Sequence, residues 1–349
     1  MKLDIVILLY IVVTFVSGQR NDHQDPIPSD VYNQSKVCVV QDSHHQHEYY
    51  GYVPPCPDSE DNAPCVCTYD IDSEDNTMDL DCSAVESQEQ VKQILKADFP
   101  FKNFGQFDLT YNYNNITVLE SGVFNGVSFE IINIYYTDLE VVELKALNSW
   151  YETATKLNLF NNKITSFPFD ELSQFSKLRY FSISGNSLGM VPADAFHGLT
   201  ALEYLGVSDN YANFVGTFQD LPNLRDIDMF SNALTTVSAN FIKTGSSYLM
   251  HIDLSGNNIV SVEPGAFDIV EGLEINMYGN SLSTLEEATW RPHLEAGGTL
   301  FAAYNPLICG CDIAWLFGED QLLEQIGNYT TCNDGENLHD LDPSIFDPC

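Results

Sequence analysis

The sequence predicts an α/β leucine-rich-repeat solenoid. Such a fold has a curved face of short parallel strands, a mostly irregular or short-helical convex side, and here a disulfide cap at each end. Three observations predict it. Asparagines recur as a ladder at Asn112, Asn162, Asn186, Asn210, Asn232, Asn257, Asn280 and Asn305, with Thr137 holding one rung, and successive rungs lie 22 to 25 residues apart. Ahead of most rungs the apolar residues keep one phase: Leu178, Phe181, Ile183, Asn186 and Leu188 read L-x-x-L-x-L-x-x-N-x-L. That is the repeat signature, and its period falls in the range such repeats occupy. Cysteines cluster on either side of the repeats, where a solenoid would otherwise expose its core.

The chain opens with Met1-Lys2-Leu3-Asp4 and an apolar run from Ile5 to Val16. That run is too short to span a bilayer and suits the core of a signal peptide, with small residues at Val16-Ser17-Gly18 for cleavage. Residues 1–18 therefore read as a signal peptide, and no further membrane anchor is expected. Fourteen basic residues face 50 acidic ones, for a net charge of −36. A chain so acidic repels phosphate backbones, which argues against nucleic acid as a partner. The hydrophobic share of 44% is ample for a core, so the acidity belongs to a solvated surface.

Residues 19–55 are polar and without apolar period, and read as a linker, largely disordered. His44, His45 and His47 are metal-binding types, but nothing in this segment orients them, so no metal site is assigned. Cys38 is the odd cysteine of nine; in a secreted chain it is either a free thiol or the bridge of a covalent dimer.

Residues 56–103 form the N-terminal cap. Cys56, Cys65, Cys67 and Cys82 precede a segment in which Val91, Ile94 and Leu95 fall at helical spacing, which predicts a short amphipathic helix over Glu86 to Ala97. Residues 104–305 hold about nine repeats, and residues 306–349 form the C-terminal cap around Cys309, Cys311, Cys332 and Cys349. Small caps carry little core of their own and are commonly held by disulfides in exported proteins. Spacing alone leaves three pairings open in each cluster. Within a repeat, L-x-L makes a strand that points residues such as Leu157 and Leu159 inward. The rung asparagine has a physical purpose. Where each strand bends away, buried backbone groups leave the ladder, and leaving one unpaired costs roughly 1–3 kcal/mol. An asparagine amide bridges such groups with two donors and an acceptor. Thr137 supplies only part of this, so its turn is expected to be looser.

One catalytic pattern matches by letter. Gly185-Asn186-Ser187-Leu188-Gly189 reads G-x-S-x-G, which in hydrolases needs a strand, a strained turn and a helix. Here Asn186 is a rung and Leu188 a core position, so Ser187 is read as a repeat residue and not as a nucleophile. No cofactor motif is present, and the sequons Asn33, Asn115 and Asn328 suit an exported glycoprotein.

Function must then lie on a surface. On the concave face the outward positions precede each rung by two and four residues. They include the aromatics Tyr135, Phe160, Phe230 and Tyr278 and the polar Asn133, Asn158, Asp228 and Asp253. Where the aromatic column holds Ser184 and Ser208, Tyr180 and Tyr204 stand earlier on the same strands. An aromatic stripe with polar and acidic neighbours, held on a rigid sheet, is a partner-binding candidate.

Several stretches carry a resemblance. They are Cys56-Pro57, Ala63-Pro64-Cys65-Val66-Cys67-Thr68-Tyr69-Asp70, Gly122-Val123-Phe124-Asn125-Gly126, Leu172-Ser173-Gln174-Phe175-Ser176-Lys177-Leu178, Cys309-Gly310-Cys311-Asp312-Ile313-Ala314-Trp315-Leu316-Phe317 and Asp340-Leu341-Asp342-Pro343-Ser344-Ile345. From Cys56 to Cys349 the chain resembles an arthropod family of secreted repeat proteins, that of the non-catalytic subunit of Oplophorus-luciferin 2-monooxygenase. The resemblance implies the pairs Cys56–Cys67, Cys65–Cys82, Cys309–Cys332 and Cys311–Cys349. It implies a secreted, non-enzymatic chain that associates with a small catalytic subunit. Residues 19–55 and Cys38 lie outside it. Other functions for the same surface are recognition of an immune or cell-surface ligand, or a matrix role through Cys38; a hydrolase through Ser187 is the remote alternative.

Overall fold

The computed structural model describes residues 39–42, 45–48, 56, 62–69, 78–97, 99, 103–113, 115–214, 218–318 and 322–349. The expected signal peptide at 1–18, the sequon at Asn33, Cys38 and His44 lie outside them. The chain divides into two units, Met1–Val53 and Pro54–Cys349. In the first, Val39–Asp42 pairs antiparallel with His45–Glu48, so a segment read as a featureless linker carries a hairpin. Strands this short show no apolar period.

The second unit is the solenoid. β1 (Val66–Tyr69) pairs antiparallel with β2 (Met78–Asp81). Parallel strands then follow: β3 (Asn103–Thr110), β4 (Ser128–Tyr135), β5 (Lys156–Asn158), β6 (Tyr180–Ser182), β7 (Tyr204–Gly206), β8 (Asp226–Asp228), β9 (His251–Asp253), β10 (Glu274–Asn276) and β11 (Thr299–Phe301). They form one eleven-stranded sheet whose spatial order is the sequence order. Alternation along each strand sends Leu157, Phe181, Leu205, Ile227, Ile252 and Ile275 into the core, where all are buried. The return path adds a second layer of buried rings, among them Phe124, Trp150, Phe175 and Phe267. Phe124 and Trp150 lie 4.2 Å apart between centroids. Convex turns are short helices and two-residue strands, as where Met190–Val191 pairs with Asn213–Phe214.

The rungs are buried and bind across turns. Asn257 Nδ2 donates to Met229 O and Leu254 O, both at 3.0 Å. Its Oδ1 accepts from Asn232 N at 3.1 Å and Leu234 N at 3.3 Å. Thr137 departs from expectation, because its turn is closed. Thr137 N and Oγ1 donate to Asn162 Oδ1 at 3.0 and 2.6 Å, and Thr137 Oγ1 accepts from Leu139 N at 3.2 Å. A hydroxyl both donates and accepts, and the next rung supplies what threonine lacks.

Each cap covers one end of this core. α1 (Gln88–Ile94) starts at Ser87, whose hydroxyl accepts from Gln90 N, and buries Val91 and Ile94. Asn112 Nδ2 donates to Ser83 O and Val85 O, so the first rung reaches into the cap. The bridges of the N-terminal cap are Cys56–Cys67 and Cys65–Cys82. Those of the C-terminal cap are Cys309–Cys332 and Cys311–Cys349. At that end α2 (Glu287–Glu295) buries Trp290 and His293, and Trp315 Nε1 donates to Leu285 O at 3.0 Å.

Candidate functional site

The outward face of the sheet presents residues in register. One row runs Lys156, Tyr180, Tyr204, Asp226 and His251, each beside the next on adjacent strands. These side chains connect. Lys156 Nζ sits 4.9 Å from the centroid of the Tyr180 ring, a cation–π distance. Tyr180 and Tyr204 stack at 4.5 Å with their planes 8° apart. Tyr204 donates its hydroxyl to Asp228 Oδ2 at 2.5 Å, and His251 Nδ1 lies 4.0 Å from Asp228 Oδ1.

The sequence permits this arrangement at one small residue. A Cβ at Gly206 would lie 3.0 Å from Tyr204 Oη and from Ser182 Oγ, so glycine leaves the space that Tyr204 occupies across the strand. The environment also fixes the proton inventory. Burial, then the Asp228 carboxylate, push the Tyr204 phenol far above its ordinary range, and burial raises Tyr180 as well. Both phenols therefore keep their protons at neutral pH, and Asp228 holds that of Tyr204. Burial also raises the Asp226 carboxyl, with Asp228 adding to the effect and His251 opposing it.

The sequence-derived positions fall on this face but do not form one stripe. Tyr135 and Phe160 belong to a cluster at the first turns, Tyr180 and Tyr204 to the centre, and Tyr278 pairs with Tyr304 at 4.8 Å near the last. Phe230 is half-buried and makes no ring contact among the described residues. Between the clusters Ser184 and Ser208 are buried, and Ser208 Oγ donates to Ser184 Oγ at 2.9 Å. Asn133 is buried too: its Nδ2 donates to Asp108 Oδ1 at 2.9 Å. Asn158 and Asp253 are half-buried, and each caps its own strand end by accepting from Phe160 N and Ser255 N.

Three further tyrosines were missed by the sequence reading. Tyr111, Tyr136 and Tyr304 each stand immediately before a rung, at φ of 51°, 53° and 58°. Left-handed backbone costs a residue with a Cβ roughly 1–2 kcal/mol. Other turns fill this position with Asn161, Gly185, Asp209, Ser231, Gly256 and Gly279, mostly residue types that tolerate it. The geometry is imposed because the N–H of this residue continues the sheet ladder: Tyr111 N donates to Tyr135 O at 3.1 Å and Tyr136 N to Phe160 O at 3.2 Å. A scan of the residue before each rung would have singled these tyrosines out.

Ser187 is exposed on a turn between β6 and the strand Met190–Val191, with no helix after it. A nucleophile elbow requires that helix. Asn115 and Asn328 are both exposed. No group of three or more histidine, cysteine or acidic side chains that could hold a metal occurs among the described residues.

Parallel strands tied by buried asparagines and closed by paired bridges define a disulfide-capped leucine-rich-repeat protein, of the kind oxidising compartments sustain. The leucine rich repeat family pattern matches residues 152–211 and 177–234. The chain is 31% identical over 317 residues to the Oplophorus-luciferin 2-monooxygenase non-catalytic subunit of Oplophorus gracilirostris, across 83% of this chain and 87% of that one. It belongs to that family, and it is not an enzyme. It is also 32% identical over 160 residues to Toll-like receptor 9 of Mus musculus, spanning 45% of this chain but 15% of the receptor. Among solved structures, the complex of TLR13 with ssRNA13 matches with a TM-score of 0.53 at 24% identity, over 64% of this chain and 31% of that one. That likeness concerns the fold.

Proposed function

We propose that this chain is a secreted, non-enzymatic protein that binds a protein partner through its concave face. The observation that carries the reading is the connected row from Lys156 through Tyr180, Tyr204 and Asp228 to His251. It places aromatic area and charged groups on parallel strands, where recognition loses little side-chain entropy. Residues 1–18 serve as the signal peptide, and Cys38 is available for a covalent dimer. The relative that is a non-catalytic subunit of a monooxygenase supports a finer reading, in which the partner is a small catalytic subunit. Relatives among Toll-like receptors support the broader one, recognition of another extracellular molecule.

The test is a native pull-down from secreted fluid with mass spectrometry of the bound chains. Calorimetry follows with the purified partner and Tyr180→Ala, Tyr204→Ala and Phe230→Ala variants. Loss of affinity at Tyr180 and Tyr204 is expected, measured at a temperature where the melting curve shows each variant still folded. Undiminished affinity in every variant would remove the concave face from the function.

A further inference from the structure

The tyrosines of the first turns have no part in the central row. Tyr111 and Tyr136 stack at 4.9 Å with planes 9° apart. Tyr135 sets its ring edge-on against Tyr111 at 5.8 Å, and Phe160 against Tyr136 at 5.6 Å. Tyr111 is 65% exposed and Tyr113, two residues on, is 62% exposed. Two of these rings sit on left-handed backbone, although smaller residues occupy that position in most other turns. Tyr136 is half-buried, so the patch is partly exposed ring surface kept against the preference of its own backbone.

Charge says what covers it. The outward positions of β2, β3 and β4 carry Asp79, Asp81 and Asp108 and no lysine or arginine. A second copy of this chain, itself at −36, is repelled from such a corner. Rings on so acidic a corner of the face suit a cation, and arginine best: its planar guanidinium stacks on a ring and its charge is drawn to the carboxylates around it. We propose that the Tyr111–Tyr136 patch docks an arginine-bearing basic segment of a protein partner. This rests on the partner-binding reading and names the chemistry of what the first turns contact.

The probe is a fluorescein-labelled peptide of arginines spaced by glycine and serine, beside its citrulline counterpart, followed by anisotropy at about 0.15 M salt so that general attraction is screened. The arginine peptide is expected to bind the full chain at least about tenfold more tightly than the citrulline one. The double variant Tyr111→Asn, Tyr136→Asn keeps the charge and suits left-handed backbone. It should weaken arginine binding at least about fivefold, with a melting midpoint unchanged or raised. Tyr304→Asn, at the other end of the sheet, should leave binding as it was. If the double variant melts early, Tyr111→Asn alone, at the more exposed ring of the pair, takes its place with the same loss expected. Equal affinity of wild type and tyrosine variants overturns the proposal, and so does equal weakening by Tyr304→Asn, since overall charge would then explain the binding. A partner that still depends on Tyr180 and Tyr204 in that event leaves the concave-face reading standing.

Discussion

The Tyr204 hydroxyl donates to Asp228 Oδ2 at 2.5 Å, one strand along the sheet. The bond joins the stacked rings to the acidic side of the face, and Gly206 makes room for it. Removing the hydroxyl in Tyr204→Phe should lower stability by about 1 kcal/mol, the value of a partly exposed hydrogen bond. Gly206→Ala should cost more, because its methyl meets Tyr204 Oη and Ser182 Oγ at 3.0 Å. Near-ultraviolet circular dichroism checks both, since a displaced ring pair changes the tyrosine signal. An unaltered spectrum in Gly206→Ala would show that Tyr204 does not lie across that strand.

His293 gives a pH signature. It is buried on α2 with no partner for Nδ1 among the described residues. Burial, with Lys243 adding to it, pushes its pKa down to about 4. The unfolded chain takes up this proton below about pH 6.5, whereas the folded chain resists until the lower value. The unfolded state therefore binds more protons between those values, and stability falls as pH drops through that window, by up to about 3 kcal/mol. Urea midpoints at several pH values, for wild type and His293→Phe, isolate the effect from the many carboxylates. Parallel pH slopes in the two proteins would contradict it.

The rungs should differ in cost. Asn257→Ala strands the buried N–H groups of Asn232 and Leu234, while Met229 O and Leu254 O keep bonds from Asn232 and Asn280, and should lose about 4 kcal/mol. Thr137→Val gives up the hydroxyl contacts to Asn162 and Leu139, worth about 2 kcal/mol. Equilibrium unfolding ranks them, and a Thr137 variant that costs as much as the Asn257 variant breaks the account.

The caps should rank by the loop each bridge closes. Cys311 and Cys349 are 38 residues apart, so replacing both by serine removes about 4 kcal/mol on loop entropy. Cys56 and Cys67 are 11 apart, and their loss removes about 3 kcal/mol. Denaturation of the two double variants under non-reducing conditions tests the order.

The repeat frame was legible because the rung and the inward residues are spaced by the chain itself. Leu157, Phe181 and Ile252 could be assigned to the core from their distance to the next asparagine alone. The candidate site was less so. Distance from a rung tells which face a residue takes, but not how far a long ring leans along it. Tyr204 reaches over Gly206, and that lean depends on a glycine in one strand and an aspartate in the next. Asn133 illustrates the same limit, since its amide is tied to Asp108 on the neighbouring strand. The tyrosines before the rungs carried a readable signal, a column of glycines and other left-handed residues interrupted by large rings.

The variable spacing of the rungs has a consequence for recognition. Repeats differ in length, yet the strands stay in register, so extra residues are taken up on the convex side. The concave face is then a graduated scale whose divisions are the interstrand distance, about 4.8 Å. Tyr135 and Tyr278 stand six divisions apart along it, close to 30 Å of arc by that spacing. A partner that touches both must match that length, and a chain with one repeat inserted between them would hold the same side chains and be out of step.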